Sequence, residues 1–284
     1  MISIIICSRE KEISLKLREN IENTIQSNYE LIIIDNSQNK YSVFEAYNLG
    51  IAQSKGKYLC FLHDDIFFHT KGWGVILNSI FKSNSKIGLI GIAGTLIKTK
   101  MPSAWWDCDE AHKRVNIIQH FSNQTQAHWK KGFKDDTLVD VVAIDGVFMA
   151  AQKNEAISFS TVLNGFHNYD LNLSFEYLKH GYRVVVTKDI LLEHYSFGVL
   201  NESWYSSSLL LHKLYKDFLP LNFSDSKNLN ALEFSNGKKF LDNLSDLNLS
   251  KEVFHVWKQL IYLKPFNKIH FYFFKKILKK CLQL

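Results

Sequence analysis

Two adjacent carboxylates close an apolar segment near residue 60. Residues 58–62 (Tyr-Leu-Cys-Phe-Leu) have the composition of a buried strand, and His63, Asp64 and Asp65 follow them directly. Asp is among the poorest strand residues, so the pair marks the point where the strand ends. Oxygen ligands at the carboxyl end of a buried strand suit a hard divalent cation and the phosphates that it binds. The alternative interpretation is a polar turn after a core strand.

Two earlier strands also end in polar side chains. Residues 2–7 and 30–35 are apolar, β-branched runs typical of strands buried on both faces of a parallel sheet. The polar residues at the three strand ends are Ser8 and Arg9, Asp35 and Asn36, and His63, Asp64 and Asp65. Because the carboxyl ends of parallel strands converge on one crevice, we expect these side chains to share a site.

Helix-favouring segments alternate with the strands. They are expected over residues 10–27 and 43–54, and this order predicts a doubly wound α/β sheet. Further elements are predicted as helices at 76–82 and 169–180, strands at 87–92, 115–121 and 183–187, and a strand, turn and strand at 138–151. From about residue 202 the sequence becomes helix-like, polar and aromatic.

No glycine-rich phosphate loop accompanies the strand ends. The sequence has no Gly-x-Gly-x-x-Gly motif and no P-loop lysine, which argues against a dinucleotide oxidoreductase and a P-loop NTPase. A nucleotide bound without such a loop needs another group to neutralise its diphosphate. A metal ion on Asp65 would supply that charge.

Several motifs in a fixed order resemble those of family 2 glycosyltransferases of the GT-A fold. They are the apolar first strand, residues 31–37 (Leu-Ile-Ile-Ile-Asp-Asn-Ser), 48–65, 144–149 and 165–173, and the pair Glu193-His194. The resemblance covers about residues 2–200. It implies an α/β GT-A domain over residues 1–200, with a mixed, mostly parallel central sheet flanked by helices, and a helical C-terminal region over residues 201–284.

The resemblance implies that the strand-end residues bind a nucleotide-sugar donor. Asp35 would accept hydrogen bonds from the base, with capping of the following turn as its alternative role. Ser8 and Asp64 would also bind the donor, Asp64 through sugar or ribose hydroxyls, and Asp65 would bind Mn²⁺ or Mg²⁺. The family motif is often Asp-x-Asp; here His63 holds its first position and is not assigned as a ligand.

Asp170 is the predicted general base. It holds the second position of the family's Glu-Asp pair, where Tyr169 replaces Glu. A carboxylate that takes the acceptor proton, while a metal stabilises the diphosphate leaving group, gives single displacement with inversion. The alternative is an Asp that stabilises a helix start. His194 resembles the late His that completes the metal shell in some GT-A enzymes, with a structural His as the alternative; imidazole favours manganese over magnesium.

Four residues are candidates for contact with the acceptor. Asp145 and Gly146 are expected near the acceptor sugar. Trp105 and Trp106 would form an apolar platform for a sugar face, and the alternative role of this Trp pair is packing.

The net charge of +6 comes from the C-terminal segment. Residues 264–284 contain six lysines and no acid, so 28 basic residues remain against 28 acidic ones. Residues 1–263 thus contain equal numbers of basic and acidic side chains, which argues against nucleic-acid binding. Six apolar residues recur at helical spacing, at Phe271, Phe274, Ile277, Leu278, Cys281 and Leu282, with Lys275, Lys276, Lys279 and Lys280 on the other side. Such a helix either docks on the domain or lies on an anionic membrane.

Cysteine use and hydropathy indicate the compartment. The four cysteines, Cys7, Cys60, Cys108 and Cys281, are widely spaced without zinc-type grouping, and we expect reduced, buried thiols. Neither a basic signal segment nor a window of about 18 apolar residues is found, so we expect no secretory signal and no membrane span. The predicted location is the cytoplasm, at the inner face of the membrane if the last helix binds lipid.

The sequence therefore predicts a metal-dependent inverting glycosyltransferase. It would move a sugar from a nucleotide-sugar to a carbohydrate or lipid-linked acceptor in surface polysaccharide synthesis. One alternative is a sugar-phosphate nucleotidyltransferase, although residues 7–10 lack the glycine-rich basic signature expected after its first strand. The other is a degenerate member that binds without turnover, an alternative that the changes at His63, Tyr169 and Asn172 leave open.

Overall fold

The computed structural model describes residues 1–121, 123, 125–196, 198, 200–224, 228–246 and 250–282. The strands in these ranges are β1 (Ile2–Ser8), β2 (Tyr29–Asp35), β3 (Tyr58–Leu62), β4 (Ile66–Phe68), β5 (Ile87–Gly91), β6 (Ala93–Thr95), β7 (Ile97–Lys98), β8 (Lys113–His120), β9 (Gln126–Lys131), β10 (Leu138–Asp140), β11 (Ala143–Ile144), β12 (Phe148–Gln152), β13 (Arg183–Thr187), β14 (Leu192–His194) and β15 (Leu221–Asn222). The helices are α1 (Leu15–Ile25), α2 (Val43–Gln53), α3 (Trp73–Ser83), α4 (Tyr169–Lys179), α5 (Glu202–Leu214), α6 (Leu229–Asp246), α7 (Ser250–Leu263) and α8 (Ile269–Leu282).

A seven-stranded sheet forms the centre of the molecule, in the order β10-β13-β5-β12-β3-β1-β2. β1 is parallel to β2 and β3, and β13 is parallel to β5. β12 runs antiparallel to β3 and β5, and β10 runs antiparallel to β13. Five of the seven strands thus point the same way, which confirms the predicted mixed, mostly parallel sheet. β2 is an edge strand and only half-buried, so the expectation that it is covered on both faces was wrong.

A second sheet brings distant segments to the end of β3. Its order is β11-β6-β8-β14-β4, with β9 paired to β8. In β14, His194 is the partner of Ile66 in β4 and of Gln119 in β8. This register places His194 beside the segment that follows Asp65.

The helix boundaries follow from local capping. α1 begins at Leu15, later than predicted, because the Ser14 hydroxyl accepts the N–H of Leu17 and so caps the first turn. α2 begins with a capping box in which Ser42 and Glu45 satisfy each other's backbone N–H groups. α3 begins at Trp73, three residues earlier than predicted, and its fully buried indole stacks on the ring of Phe68.

The C-terminal helices share a smaller apolar core with the loop after β7. Its buried members are Met101, Ala104, Trp204, Tyr205, Phe234, Phe240, Leu241, Leu244, Val256, Leu260, Ile269 and Phe273. α8 therefore docks through Ile269 and Phe273. Phe271, Phe274 and Leu278, which the spacing places on the apolar face, are exposed. The side chains of Ile277, Cys281 and Leu282 lie outside the described residues.

Polar contacts also cross from the sheet domain to the C-terminal helices. Lys98 is 2% exposed, and its Nζ donates to Ser103 Oγ at 2.6 Å and to His212 Nε2 at 2.8 Å. Burial lowers the pKa of Lys98 to about 7. The Glu233 carboxylate of α6 accepts the backbone N–H groups of Lys100 and Met101.

Two further predictions concern the state of the cysteines and the presence of a membrane-spanning helix. Cys60 is buried and Cys7 and Cys108 are half-buried, and all three are free thiols. Among the described residues, no helix has both the length and the apolar character needed to cross a membrane.

One buried amide ties α1 to β4. Asn20 donates to the Phe68 carbonyl at 3.0 Å and accepts the Phe68 N–H at 2.7 Å. Asn20→Leu leaves both backbone groups unpaired, so we expect it to lower the free energy of unfolding by about 2–4 kcal/mol in urea titrations. Asn23→Leu changes an exposed Asn of the same helix and should alter stability by less than about 0.5 kcal/mol. Equal losses would contradict the assigned role of Asn20.

Candidate active site

The carboxyl ends of β1, β2 and β3 form one side of a cleft of about 220 Å³. Register aligns them, since Ser8 is the partner of Asp35 and Ile6 is the partner of Leu62. The lining includes Ser8, Arg9, Asn36, His63, Asp64 and Asp65. The expected convergence of the three strand ends is therefore present in the structure.

His63, Asp65 and His194 bring three ligand atoms close together. His63 Nδ1 lies 3.2 Å from His194 Nε2 and 3.8 Å from Asp65 Oδ1, and these last two atoms are 3.6 Å apart. A triangle with these edges puts each atom about 2.1 Å from a common centre, as nitrogen and oxygen ligands of small divalent cations require. The three side chains thus fit a divalent cation, and His63 lies beside the two ligands predicted from the sequence.

Hydrogen bonds through Gln119 fix the orientation and the tautomer of the His194 imidazole. Gln119 Nε2 donates to the carbonyls of His120 and Ser196, so its Oε1 faces His194 Nδ1 at 3.0 Å and accepts that N–H. His194 Nε2 therefore carries the lone pair that points at Asp65 and His63. Because the tautomer is set from the far side of the ring, a ligand nitrogen is held ready.

Electrostatics favour the forms that bind metal. Burial and the neighbouring His194 lower the pKa of His63, so this imidazole is neutral at neutral pH. Burial alone would raise the pKa of Asp65, but a hydrogen bond from Ser196 and the imidazoles of His194 and His63, in their protonated forms, bring it well below its ordinary value. Metal ligands bind as neutral imidazole and ionised carboxylate, which are the forms favoured here.

Tyr169 and His63, two of the three departures from the family motifs, contact each other. Tyr169 Oη lies 2.5 Å from His63 Nε2. Tyr169 is buried at the start of α4, and a Cβ on Gly146 would lie 2.6 Å from two of its ring carbons. Only glycine leaves room for this ring. Gly146 thus acts in the site by admitting Tyr169.

Arg9 covers the carboxylate pair. Its guanidinium donates to Asp64 through Nε and Nη2, the latter at 2.6 Å, and Nη2 lies 3.4 Å from Asp65 Oδ2. The Arg9 backbone N–H also donates to Asp64. The Arg9 side chain is 69% exposed, so it is free to move toward a bound anion.

Asp170 and Asp145 form a second acidic pair beside the cleft. Burial and the charge of Asp145 raise the pKa of Asp170 to about 7, against partial opposition from the N–H groups of Leu171 and Gly146. Asp145 accepts the Trp105 indole N–H at 2.8 Å and the Val147 N–H at 2.8 Å. A carboxyl that titrates near neutrality is suited to proton transfer.

The two tryptophans differ in exposure. Trp105 is 7% exposed and bonded to Asp145, so it orients that carboxylate. Trp106 is 38% exposed and meets Trp105 edge to face, with ring centroids 5.6 Å apart. Only Trp106 presents an open ring face for a sugar.

Ser8 and Asp35 differ in their relation to the cleft. Ser8 is buried in its wall, where its hydroxyl accepts the Glu10 N–H at 3.1 Å. Asp35 is exposed beside the cleft and is not part of its lining. The Asp35 carboxylate accepts the Ser37 N–H at 3.0 Å, which lowers its pKa. This contact is of the turn-capping kind.

A larger surface depression, of about 980 Å³, lies at the opposite edge of the central sheet. It is lined in part by Asp140 and Arg183, which bind each other through two hydrogen bonds of 2.7 Å. His63 and Asp65 line the smaller cleft and not this depression, so we place the chemistry at the smaller cleft.

Comparisons with known proteins agree with this fold. Residues 3–209 match the model of a glycosyltransferase-like family. Because the match spans well over half of the chain, the protein belongs to this family. A search of curated protein sequences gives no match.

Solved structures with a similar fold include S. aureus TarS 1–349. In complex with UDP-GlcNAc it shares 10% identity with this chain at a TM-score of 0.52, covering 92% of this chain and 88% of that one. A second TarS structure gives 11% identity, the same coverage and a TM-score of 0.51. At this identity the likeness shows the GT-A fold alone. GalNAc-T7 with UDP, GalNAc and Mn²⁺ is also similar, with 11% identity, coverage of 72% and 44%, and a TM-score of 0.46, too low to support an argument.

Three site residues were not assigned from the sequence. His63 and Arg9 stand beside predicted residues, and their position at a strand end was the available signal. The sequence has no signal for the role of Gln119, because that role depends on the pairing of β8 with β14.

Asp170 should lower stability at neutral pH. Its folded pKa of about 7 exceeds its ordinary value of 3.8, so its contribution to stability falls as pH rises from about 4 to about 7. Asp170→Asn removes the titrating group, and we expect it to raise the free energy of unfolding, by about 2 kcal/mol more at pH 8 than at pH 5. Urea titrations at both pH values measure this. Asp109→Asn, at an exposed position, should show no such dependence. If Asp170→Asn raised the free energy of unfolding by the same amount at both pH values, the raised pKa of Asp170 would be contradicted.

Proposed function

We propose that this protein is a metal-dependent inverting glycosyltransferase. It transfers a sugar from a nucleotide-sugar to a hydroxyl of a glycan or lipid-linked glycan, in surface polysaccharide synthesis. The observation that carries the proposal is the fit of His63, Asp65 and His194 to a divalent cation, near a carboxyl at Asp170 that titrates at about pH 7. The family membership makes these the expected parts of one reaction centre.

Asp65, His194 and His63 would hold the metal. A bound Mn²⁺ or Mg²⁺ supplies positive charge to the diphosphate leaving group. Two imidazoles in the donor set favour manganese over magnesium. When His63 Nδ1 is a ligand, the ring proton resides on Nε2, where Tyr169 Oη accepts it. A hydroxyl can accept or donate, so Tyr169 serves His63 with and without the metal.

The donor lies across the strand ends. Ser8 and Asp64 contact the nucleotide-sugar, with Asp64 taking sugar or ribose hydroxyls, and the exposed carboxylate of Asp35 takes the base. Arg9 leaves Asp64 and donates to the diphosphate, which its planar fork suits. These roles account for the absence of a glycine-rich phosphate loop.

Asp170 accepts the proton of the attacking hydroxyl. Its pKa of about 7 balances the fraction of the carboxyl that is ionised at neutral pH against the strength of the carboxylate as a base. A single displacement assisted by this one base inverts the configuration of the anomeric carbon. Asp145 and Gly146 adjoin the acceptor, and Trp106 offers its ring to a sugar face.

The contact between two of the three departures argues against a degenerate binding protein. His63 and Tyr169 replace acids of the family motifs, and they form a short hydrogen bond with each other. A site losing function has no reason to keep matched partners. The changes are better explained as a compensated rearrangement.

Manganese binding can be tested by electron paramagnetic resonance of free Mn²⁺. We expect His63→Ala, His194→Ala and Asp65→Asn each to weaken binding at least tenfold, because each removes a ligand. Tyr169→Phe, which keeps the ring and loses the hydroxyl, should weaken it about tenfold as an outer-shell change. His180→Ala, on the exposed end of α4, should have no effect. Unchanged binding in His63→Ala would reduce the ligand set to two residues.

Donor binding can be tested by thermal shift with UDP, GDP, dTDP and CMP, each with and without Mn²⁺. A ligand that binds the native state raises the melting temperature, and we expect one nucleotide to do so strongly only with the metal. Asp65→Asn should abolish the metal-dependent shift. If no nucleotide changes the melting temperature in the presence of Mn²⁺, the donor site is wrong.

The base can be tested by the pH dependence of kcat. We expect kcat to rise with pH through about 7 as Asp170 ionises, and Asp170→Asn to reduce it at least 100-fold. Asp145→Asn removes the charge that raises the pKa of Asp170, so the acid limb should move by about half to one unit to lower pH. Asp109→Asn should leave the limb in place. An unmoved limb in Asp145→Asn would contradict Asp170 as the titrating base.

A further inference from the structure

The last helix exposes an apolar stripe on the side away from its docked face. Phe273 and Ile269 are 0% and 8% exposed in the C-terminal core, whereas Phe271, Phe274 and Leu278 are 64%, 50% and 43% exposed. Helical geometry places the three exposed residues about 100–160° around the axis from Phe273, all on one side. α8 therefore has two apolar faces, and the protein covers only one of them.

Lysines border the exposed stripe. Lys275 Nζ lies 4.4 Å from the centre of the Phe271 ring, and Lys279 is exposed one turn further along the helix. The whole segment 264–284 has six lysines and no acid. Two more aromatic side chains precede the helix in exposed positions, Tyr262 at 77% and Phe266 at 101%. An aromatic surface edged by ammonium groups results.

We propose that this surface of α8 binds an anionic lipid bilayer, with the helix lying along the membrane plane. Phe271, Phe274 and Leu278 enter the boundary between headgroups and acyl chains, and Lys275 and Lys279 contact lipid phosphates. Interfacial helices of this kind combine an apolar stripe with flanking lysines. Anionic lipid attracts such clusters over a distance of about one Debye length.

The charge favours a membrane over a second copy of the chain. A symmetric dimer through this stripe would bring two lysine-rich helices together, with no acid in residues 264–284 to pair with them. Like charges in contact oppose association. An anionic bilayer supplies both the opposite charge for the lysines and an apolar region for the aromatic rings. This binding is independent of the proposed catalytic roles.

The test is co-flotation of the full chain with vesicles of phosphatidylcholine, with or without phosphatidylglycerol. We expect binding to the anionic vesicles that falls with added salt, and weak binding to phosphatidylcholine alone. Phe271→Ser/Phe274→Ser and Lys275→Glu/Lys279→Glu should each reduce the binding at least about tenfold. Because these side chains are exposed, thermal unfolding of both variants should match that of the unaltered protein.

Matched controls change exposed residues elsewhere. Leu15→Ser/Val75→Ser removes apolar side chains that are 74% and 51% exposed on α1 and α3, and Lys82→Glu/Lys86→Glu makes the same charge change at exposed positions. Both should bind anionic vesicles normally. Failure of the unaltered protein to float, or equal losses in variants and controls, would overturn the proposal. A dimer in sedimentation velocity that Phe271→Ser/Phe274→Ser dissociates, without vesicle binding, would overturn it in favour of a second copy.

Discussion

The pairing of β14 between β4 and β8 is the constraint on which the metal triangle depends. It sets His194 opposite Ile66 on one side and Gln119 on the other, so one strand delivers the ligand and its neighbour fixes the tautomer. A slip of one residue would turn the imidazole to the other face of the sheet. The ligand distances of 3.2–3.8 Å thus follow from sheet register more than from the local sequence at residues 63–65.

Around this constraint the site divides into two electrostatic halves. At the strand ends, Asp65 has a lowered pKa and is ionised, and Arg9 forms an ion pair with its neighbour Asp64. Near the start of α4, burial and the nearby charge of Asp145 raise the pKa of Asp170 to about 7. This carboxyl is therefore about half ionised at neutral pH. One half thus holds permanent negative charge and the other exchanges a proton. Tyr169 stands between them, next to Asp170 in sequence and hydrogen-bonded to His63.

Much of the central fold could be predicted from the sequence because its signals are local. Apolar runs identified β1, β3 and β5. The order of strands and helices predicted a doubly wound α/β sheet, and the resemblance to family 2 glycosyltransferases gave the GT-A fold. Edge position and helix orientation could not be predicted in this way. The burial of β2 depends on which strand ends the sheet, and the spacing in α8 defines apolar stripes without showing which one docks. Phe273 lies two residues from Phe271, yet one is buried and the other exposed.

The exposed fork of Arg9 has a consequence for the order in which ligands enter. Arg9, Asp64 and Asp65 together carry one net negative charge, with the ordinary charged forms of these groups. A diphosphate with two negative charges and a divalent cation would cancel each other, so that their joint arrival leaves this balance unaltered. Either one alone would shift it by two charges. Electroneutrality would thus couple the two proposed ligands, and the cleft is suited to receive a nucleotide diphosphate and its cation as one complex.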